Sequence, residues 1–468
     1  MVRAEPTKRF FVEMLTRDIA LDHAIMDLID NCVDGIVRRN ARNPPASADK
    51  PYLGYTVRIA ATRTRFEIRD NCGGIPRKIA RTSAFMLGRH DSSIDAHIPT
   101  VGMYGIGMKR AIFKLGMHCE VASAPQNESP YVVTISPEWL AEDGNWELPM
   151  VEDKGRRLGQ ATGTAILVSQ LHDTVSRQLD ATQSQFLGDL RKDISSFYSL
   201  IIQKGLNIDL NGERIAPVNL ELLSPSKITA TGISPYVFEG RVKEVDIQVV
   251  VGFYRPLATE RELNNELRSP RSKDEAGWTV VCNDRVVLHR DKSYVTGWGR
   301  ANVPRYHNQF IAISGVVSFS TNVPLNLPLN TTKRGLDYSS ELYQTVLELM
   351  QEGLQKFTSF TNKWKTREAE TEAAFAKLKP APPRDIASRV PQDAWTAVRK
   401  LGGNARRFLP SLPKPPSSDR VQRISFARPR PQVVQLSRHF FEHDDATPSE
   451  VGQRCFDAVY EEVARGGK

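Results

Sequence analysis

The stretch AIMDLIDNCVDGIVRRN, running from Ala24 to Asn40, constrains this chain more than any other. Steps of four and three residues at about 100° per residue bring Asp27, Asn31 and Asp34 within about 60° of one another around a helix. Ile25, Leu28, Ile29, Cys32, Val33, Ile36 and Val37 take the opposite side, with the i, i+3, i+4, i+7 spacing that buries a helix against a sheet. The segment predicts a core-packed helix whose exposed stripe carries two carboxylates and an amide, with no lysine to offset them. Such a stripe is either a solvated polar face or a seat for a divalent cation. Mg²⁺ in particular takes hard oxygen ligands and completes its shell with water and substrate phosphates.

Three further segments follow in order. Residues 56–70 alternate as a hairpin, Val57 and Ile59 in one strand and Phe66 and Ile68 in the next, and the second strand runs into Asp70-Asn71-Cys72-Gly73-Gly74-Ile75-Pro76. A carboxylate at a strand end can accept a hydrogen bond from an exocyclic amine, while the glycines after it let the backbone approach a flat ligand. Gly102-Met103-Tyr104-Gly105-Ile106-Gly107-Met108-Lys109 then leads into a helical pattern. Free N–H groups at a helix start behind glycines make an anion site, and Lys109 adds a point charge. The loop is neither a Walker A motif nor a dinucleotide fingerprint. Gly163-Thr164 opens the strand Ala165 to Val168.

Together, DLIDNCVDG, DNCGGIP, GMYGIGMK and GT resemble the ATP-binding domain of the gyrase, heat-shock chaperone, histidine kinase and MutL (GHKL) superfamily, whose pocket is called the Bergerat fold. The likeness spans about 140 residues. It implies an α/β sandwich that binds ATP with Mg²⁺. In it Asn31 holds the metal, Asp70 receives the adenine amine beside Gly74, and Thr164 backs up Asp70. Asp34 supports the nucleotide side, and Gly102, Gly105, Gly107 and Lys109 close over the phosphates. The superfamily's general base is a glutamate four residues before the asparagine; here that place holds Asp27. Its carboxylate sits roughly 1 Å further back, and misplacement on that scale costs about a hundredfold in rate, so slow hydrolysis is expected. Cys72 also stands where a glycine is usual.

Beyond the pocket, residues 172–203 read as a connecting helix carrying Leu179, Phe186, Leu187, Leu190, Ile194 and Phe197. A second β-rich unit is expected from near Leu206, with an Asn211-Gly212 hairpin and strands over Val245–Phe253, Trp278–Cys282, Val286–Leu288 and Phe310–Phe319. A helix from about Tyr338 to Lys363 follows. This layout is similar to the transducer domain of the gyrase and MutL branches, where a loop lysine contacts the γ-phosphate. The resemblance points to Lys333, with Arg334 as the alternative. The expected fold class is α+β. An ATP-binding α/β sandwich over 1–172 is followed by the connecting helix over 173–203 and the transducer-like α/β domain over 204–365. A basic Pro-rich linker over 366–445 and an amphipathic helix over 446–468 complete the chain.

Charge is unevenly distributed. Residues 377–438 hold 14 Lys and Arg against 3 Asp and Glu, a surplus of 11 where the whole chain is only +9, so everything else sums to −2. Ten prolines in the same stretch predict an extended segment, which suits either a polyanion such as nucleic acid or a solubilising linker. Trp395, Phe408 and Phe426 are its few aromatics. Thr447-Pro448-Ser449-Glu450 reads as a helix start with a capping box. Cysteines 32, 72, 119, 282 and 455 are scattered without metal spacing, His90 and His118 are isolated, and no run suits a signal peptide or membrane span. The expectation is a cytoplasmic ATP-gated switch or clamp, an ATPase that forms a homodimer and acts on nucleic acid. The alternatives are a nucleotide sensor with weak catalysis, or a chaperone-like clamp on protein clients.

Overall fold

The computed structural model describes residues 7–86, 97–100, 105–154, 157–158, 162–229, 231–259, 262, 276–330, 335–364, 367–415 and 424–466. Met1–Lys414 form one compact body and Pro415–Lys468 another. The fold is α+β.

The first sheet has eight strands: β1 (Thr56–Ala61), β2 (Arg65–Asp70), β3 (Gly116–Ala124), β4 (Tyr131–Ile135), β5 (Met150–Glu152), β6 (Gly163–Leu171), β7 (Asn207–Leu210) and β8 (Glu213–Arg214). Their order is β5-β4-β3-β6-β2-β1-β7-β8. One face is covered by α1 (Lys8–Arg17), α2 (Leu21–Arg42), α3 (Gly107–Leu115) and α4 (Phe186–Phe197). The expected helix and hairpin are both present. Ile25, Leu28, Ile29, Val33 and Ile36 of α2 are buried with Val57, Ile59, Phe66, Ile68, Val121 and Val168 of the strands in one core. Burying the apolar stripe of a helix on a sheet removes several large side chains from water at about 1.5–3 kcal/mol each, which is what holds α2 in place. Register then sets the site. Arg69 pairs with Ala165 and Ser123 with Thr164, so Asp70 and Gly163-Thr164 emerge side by side at one end of neighbouring strands.

The second sheet is built from β10 (Tyr236–Val242), β11 (Val245–Phe253), β12 (Gly277–Cys282), β13 (Arg285–Asp291), β14 (Ile313–Ser320), β16 (Thr396–Ala397) and β17 (Arg406–Phe408), with β9 (Leu222–Ser224) and β15 (Lys379–Ala381) pairing apart from it. The helix α5 (Glu341–Trp364) packs Tyr343, Val346, Met350, Leu354 and Phe357 into its core.

Three features differ from the sequence reading. The Asn211-Gly212 hairpin forms, with φ of 52° and 82°, but it extends the first sheet. Ile208 pairs parallel to Val57, and both Ile208 and Leu210 enter the first core, because β1 otherwise leaves an open edge. The expected single connecting helix is three helical pieces, Asp173–Gln178, α4 and Ser199–Gln203. Finally, residues 379–408 are not simply extended. β15 pairs with β9, β17 pairs with β10, and Ile386, Ala387, Val390 and Phe408 share a buried cluster with Leu222, Val237 and Val250. The prolines are accommodated where no N–H is needed, Pro380 in a two-stranded pair and Pro383 in the first turn of the helix Pro383–Ser388.

In the second body, α6 (Arg430–Phe441) precedes α7 (Pro448–Gly466). The expected capping box is formed: Thr447 N–H donates to Glu450 Oε2 at 2.8 Å, and Glu450 N–H to Thr447 Oγ1 at 3.3 Å.

Candidate functional site

The Asp70 carboxyl is a convergence point. Oδ1 accepts from the Cys72 N–H at 2.7 Å and the Thr164 N–H at 3.3 Å, and Oδ2 accepts from the Cys32 thiol at 3.4 Å. The donors come from the turn after β2, the start of β6 and helix α2, so three elements fix one side chain. Burial pushes the Asp70 carboxyl above the usual aspartate range, and those donors pull against it. Burial and the neighbouring Asp70 charge hold both thiols well above their usual range, which keeps Cys32 a protonated donor.

Close packing of backbone around Asp70 demands glycine at two positions. A Cβ on Gly163 would lie 2.0 Å from the Asp70 carbonyl oxygen, and one on Gly74, where φ is +72°, would lie 2.7 Å from the Ala124 oxygen. Ile75 is pinned just beyond: its N–H donates to Ser123 Oγ at 2.7 Å and its carbonyl accepts from Tyr131 OH at 2.7 Å. The turn carrying Gly73 and Gly74 is therefore held flat against β3.

Along α2 the polar stripe is less exposed than its spacing predicts. Asn31 is exposed, but Asp27 and Asp34 are buried, at 6% and 1% exposure. The cover over Asp27 is α3. A Cβ on Gly107 would sit 3.6 Å from Asp27 Oδ2, and Arg110 Nη2 donates to that same oxygen at 2.5 Å. Lys109 is also buried; its ammonium donates to the carbonyls of Ala84, at 2.9 Å, and Gly105, which ties the first turn of α3 to the Ala80–Ala84 turn. Gly105 and Gly107 sit at the entry to α3. Gly102, Lys333 and Arg334 lie outside the described residues; to either side of the last two, the Asn330 N–H donates to the Gly335 carbonyl at 3.1 Å.

Two cationic contacts escaped the sequence reading. One is Arg110. The other is Arg285 at the start of β13, whose Nε donates to Asp30 Oδ1 at 2.8 Å while its guanidinium lies 4.2 Å from the Tyr198 ring centre. Tyr198 OH donates to the same Asp30 oxygen at 2.6 Å. Burial opposes the Arg285 charge, but Asp30 and Tyr198 more than compensate and raise its pKa. Asp30, adjacent to Asn31, thereby ties the helix of the candidate site to the second sheet. A signal for Asp30 was available, since an acid beside Ile29 at the margin of an apolar stripe needs a buried partner. Nothing local identifies that partner as residue 285.

The basic segment is partly neutralised. Arg406 donates to Glu239 at 2.9 Å and lies 4.2 Å from the Trp395 ring centre, and Arg407 donates to Glu352 at 2.5 Å. A cleft of about 570 Å³ lined by Leu21, Asp22, Lys114, His172, Asp189 and Asp193 among others shares no residue with the cluster around Asp70 and Asp27. Among the described residues no group of three or more His, Cys, Asp and Glu is placed to hold a metal ion. No helix of the described residues is long and apolar enough to cross a membrane.

A comparison with curated proteins finds no match. Comparison with known families finds one over residues 19–164, the histidine kinase-, DNA gyrase B- and HSP90-like ATPases. That span covers α2, the turn after β2, the glycine loop with α3 and the start of β6, the elements that meet at Asp70 and Asp27. Residues 19–164 are thus an ATP-binding domain of the GHKL ATPase superfamily.

Proposed function

We propose that this protein binds ATP with Mg²⁺ and hydrolyses it slowly, using the nucleotide to gate a change of shape. The observation that carries the reading is the Asp70 carboxylate, held by Cys72, Thr164 and Cys32 beside glycine-enforced backbone. An acceptor-only carboxylate with its back donors satisfied suits the exocyclic amine of adenine. Asn31, exposed one turn along α2 from buried Asp27, would hold Mg²⁺, which neutralises phosphate charge when bound. Asp34 supports the nucleotide side from beneath, and the segment from Gly102 through Gly105 and Gly107 to Lys109 receives the phosphates. Asp27 orients the attacking water and takes its proton. Lys333, or Arg334 in its place, reaches the γ-phosphate from the second domain, and two chains associate around the bound nucleotide. Residues 377–438 contact nucleic acid with those cations that Glu239 and Glu352 leave unpaired.

A second reading, a nucleotide sensor with negligible turnover, is favoured by the short Asp27 side chain and its ion pair with Arg110. Phosphate release by the wild type beside Asp27→Glu separates the two. Measurable wild-type release that Asp27→Asn abolishes without loss of nucleotide binding supports the ATPase. Release by Asp27→Glu alone supports the sensor. Protein that binds no nucleotide overturns both.

A further inference from the structure

The ion pair between Asp27 and Arg110 sits where hydrolysis would begin. Arg110 Nη2 reaches Asp27 Oδ2 at 2.5 Å, and the two side chains are only 13% and 7% exposed. Arg110 belongs to the first turns of α3 and so continues the segment read as the phosphate loop. A carboxylate oxygen already engaged by a guanidinium N–H is not open to an incoming water, so the contact occupies the Asp27 oxygen that hydrolysis would use. The pair is also incomplete. Arg110 Nε is buried with no acceptor among the described residues, so a fork built for two parallel hydrogen bonds makes one good contact and leaves a donor idle. A buried unsatisfied donor on a cation is a demand for an anionic oxygen, and a terminal phosphate carries more charge and more acceptor oxygens than one carboxylate.

We propose that Arg110 is an exchange residue: without nucleotide it holds Asp27, and on ATP binding its guanidinium moves to the γ-phosphate oxygens and uncovers Asp27 Oδ2. The released carboxylate then takes a proton from water as the water oxygen bonds to the γ-phosphorus and the bond to the bridging oxygen breaks, giving ADP and phosphate. ADP, lacking the γ-phosphate, leaves the ion pair closed. Arg110 thus reports which nucleotide is bound and restores the inactive arrangement after turnover. The proposal rests on the ATP-site reading above.

Its test is equilibrium binding of a non-hydrolysable ATP analogue and of ADP, each with Mg²⁺, to the full chain and to Asp27→Asn, Arg110→Gln, Arg110→Lys and the Asp27→Asn/Arg110→Gln double variant. Loss of a charged hydrogen bond to phosphate weakens the analogue about 10-fold or more in Arg110→Gln, while ADP stays within about 2-fold. Asp27→Asn removes the competitor for the guanidinium and tightens the analogue several-fold without changing ADP. The double variant falls back to the Arg110→Gln affinity, and Arg110→Lys retains part of the preference for the analogue. ADP binding doubles as the folding control for every variant. If ADP binds normally but Asp27→Asn leaves analogue affinity unchanged or weaker, or tightens it equally with and without Arg110, the exchange role is overturned and the ATP site stands. If the wild type binds neither nucleotide, the ATP-site reading falls and takes this proposal with it.

Discussion

Replacing Arg285 by methionine separates a structural tie from an incidental surface contact. The Arg285 and Asp30 side chains are 10% and 6% exposed, so solvent screening discounts their interaction little. The substitution keeps most of the stem but removes the charge, leaving Asp30 buried with the Tyr198 hydroxyl, 2.6 Å away, as its remaining close donor among the described residues. Stripping one partner from a buried pair costs about 3–5 kcal/mol, a range that takes in the lost stacking of the guanidinium on Tyr198. With a urea m-value of about 3 kcal/mol/M, that lowers the unfolding midpoint by roughly 1–1.7 M. Denaturation followed by tryptophan fluorescence reads it directly. The companion variant Asp30→Leu/Arg285→Met removes both charges. Tyr198 then keeps an acceptor, because the Met26 carbonyl lies 2.7 Å from its hydroxyl. The double variant recovers to within about 1–2 kcal/mol of wild type, since replacing an entire buried pair by apolar groups is close to neutral. A single-variant midpoint shift below roughly 0.3 M, or a double variant as unstable as Arg285→Met, refutes the reasoning.

Other outcomes follow from the same geometry. Burial raises the Asp70 carboxyl above the usual aspartate range, so its proton returns at a higher pH than for an ordinary aspartate. Nucleotide affinity, which needs the ionised form, falls as pH drops toward that raised value, while ionisation as pH rises subtracts from the stability of the unliganded fold. A titration of affinity against pH that is flat down to the ordinary aspartate range contradicts this. His289 is held down to about 4 by burial and by Arg290 and Lys292, and its buried Nε2 has no hydrogen-bond partner among the described residues. The unfolded imidazole therefore binds a proton first, and about 3 kcal/mol of stability present above pH 6.5 drains away as pH falls toward 4. The variant His289→Gln flattens that loss, as acid titration of the melting temperature would show. In Gly163→Ala the added Cβ, 2.0 Å from the Asp70 carbonyl oxygen, forces the start of β6 away from β2 and breaks the Thr164 contact to Asp70. Nucleotide affinity falls about 10-fold or more, and unchanged affinity with an unchanged melting temperature counts against the packing argument.

The elements were largely legible because their signals are local. Helical spacing from Ile25 to Ile36, strand alternation around Val57 and Phe66, and the Asn211-Gly212 turn, with φ of 52° and 82°, all depend on neighbours along the chain. What the sequence withheld came from pairing at a distance. The two carboxylates of the α2 stripe were expected to face solvent because helical spacing sets them opposite the apolar face, yet Arg110 covers one of them from a helix 83 residues away. A hint existed, since Lys109 and Arg110 crowd two cations into a helix start that disfavours them unless acids or carbonyls receive them. The β7–β8 hairpin was read correctly as a hairpin and assigned to the other sheet, because a turn motif fixes its own two strands and says nothing of the edge they join. Proline and charge in residues 377–414 masked Ile386, Val390 and Phe408, whose burial depends on partners at 222, 237 and 250.

Calorimetric titration of the full chain with a non-hydrolysable ATP analogue and Mg²⁺, beside the Asp70→Ala and Asn31→Ala variants, bears most directly on the ATP-site reading. Saturable one-site binding tighter than millimolar is expected for the wild type and is lost in both variants, while each keeps its wild-type circular dichroism. No binding by the folded wild type contradicts the ATP-site reading outright, and binding that survives both substitutions places the nucleotide elsewhere and contradicts the site built around Asp70.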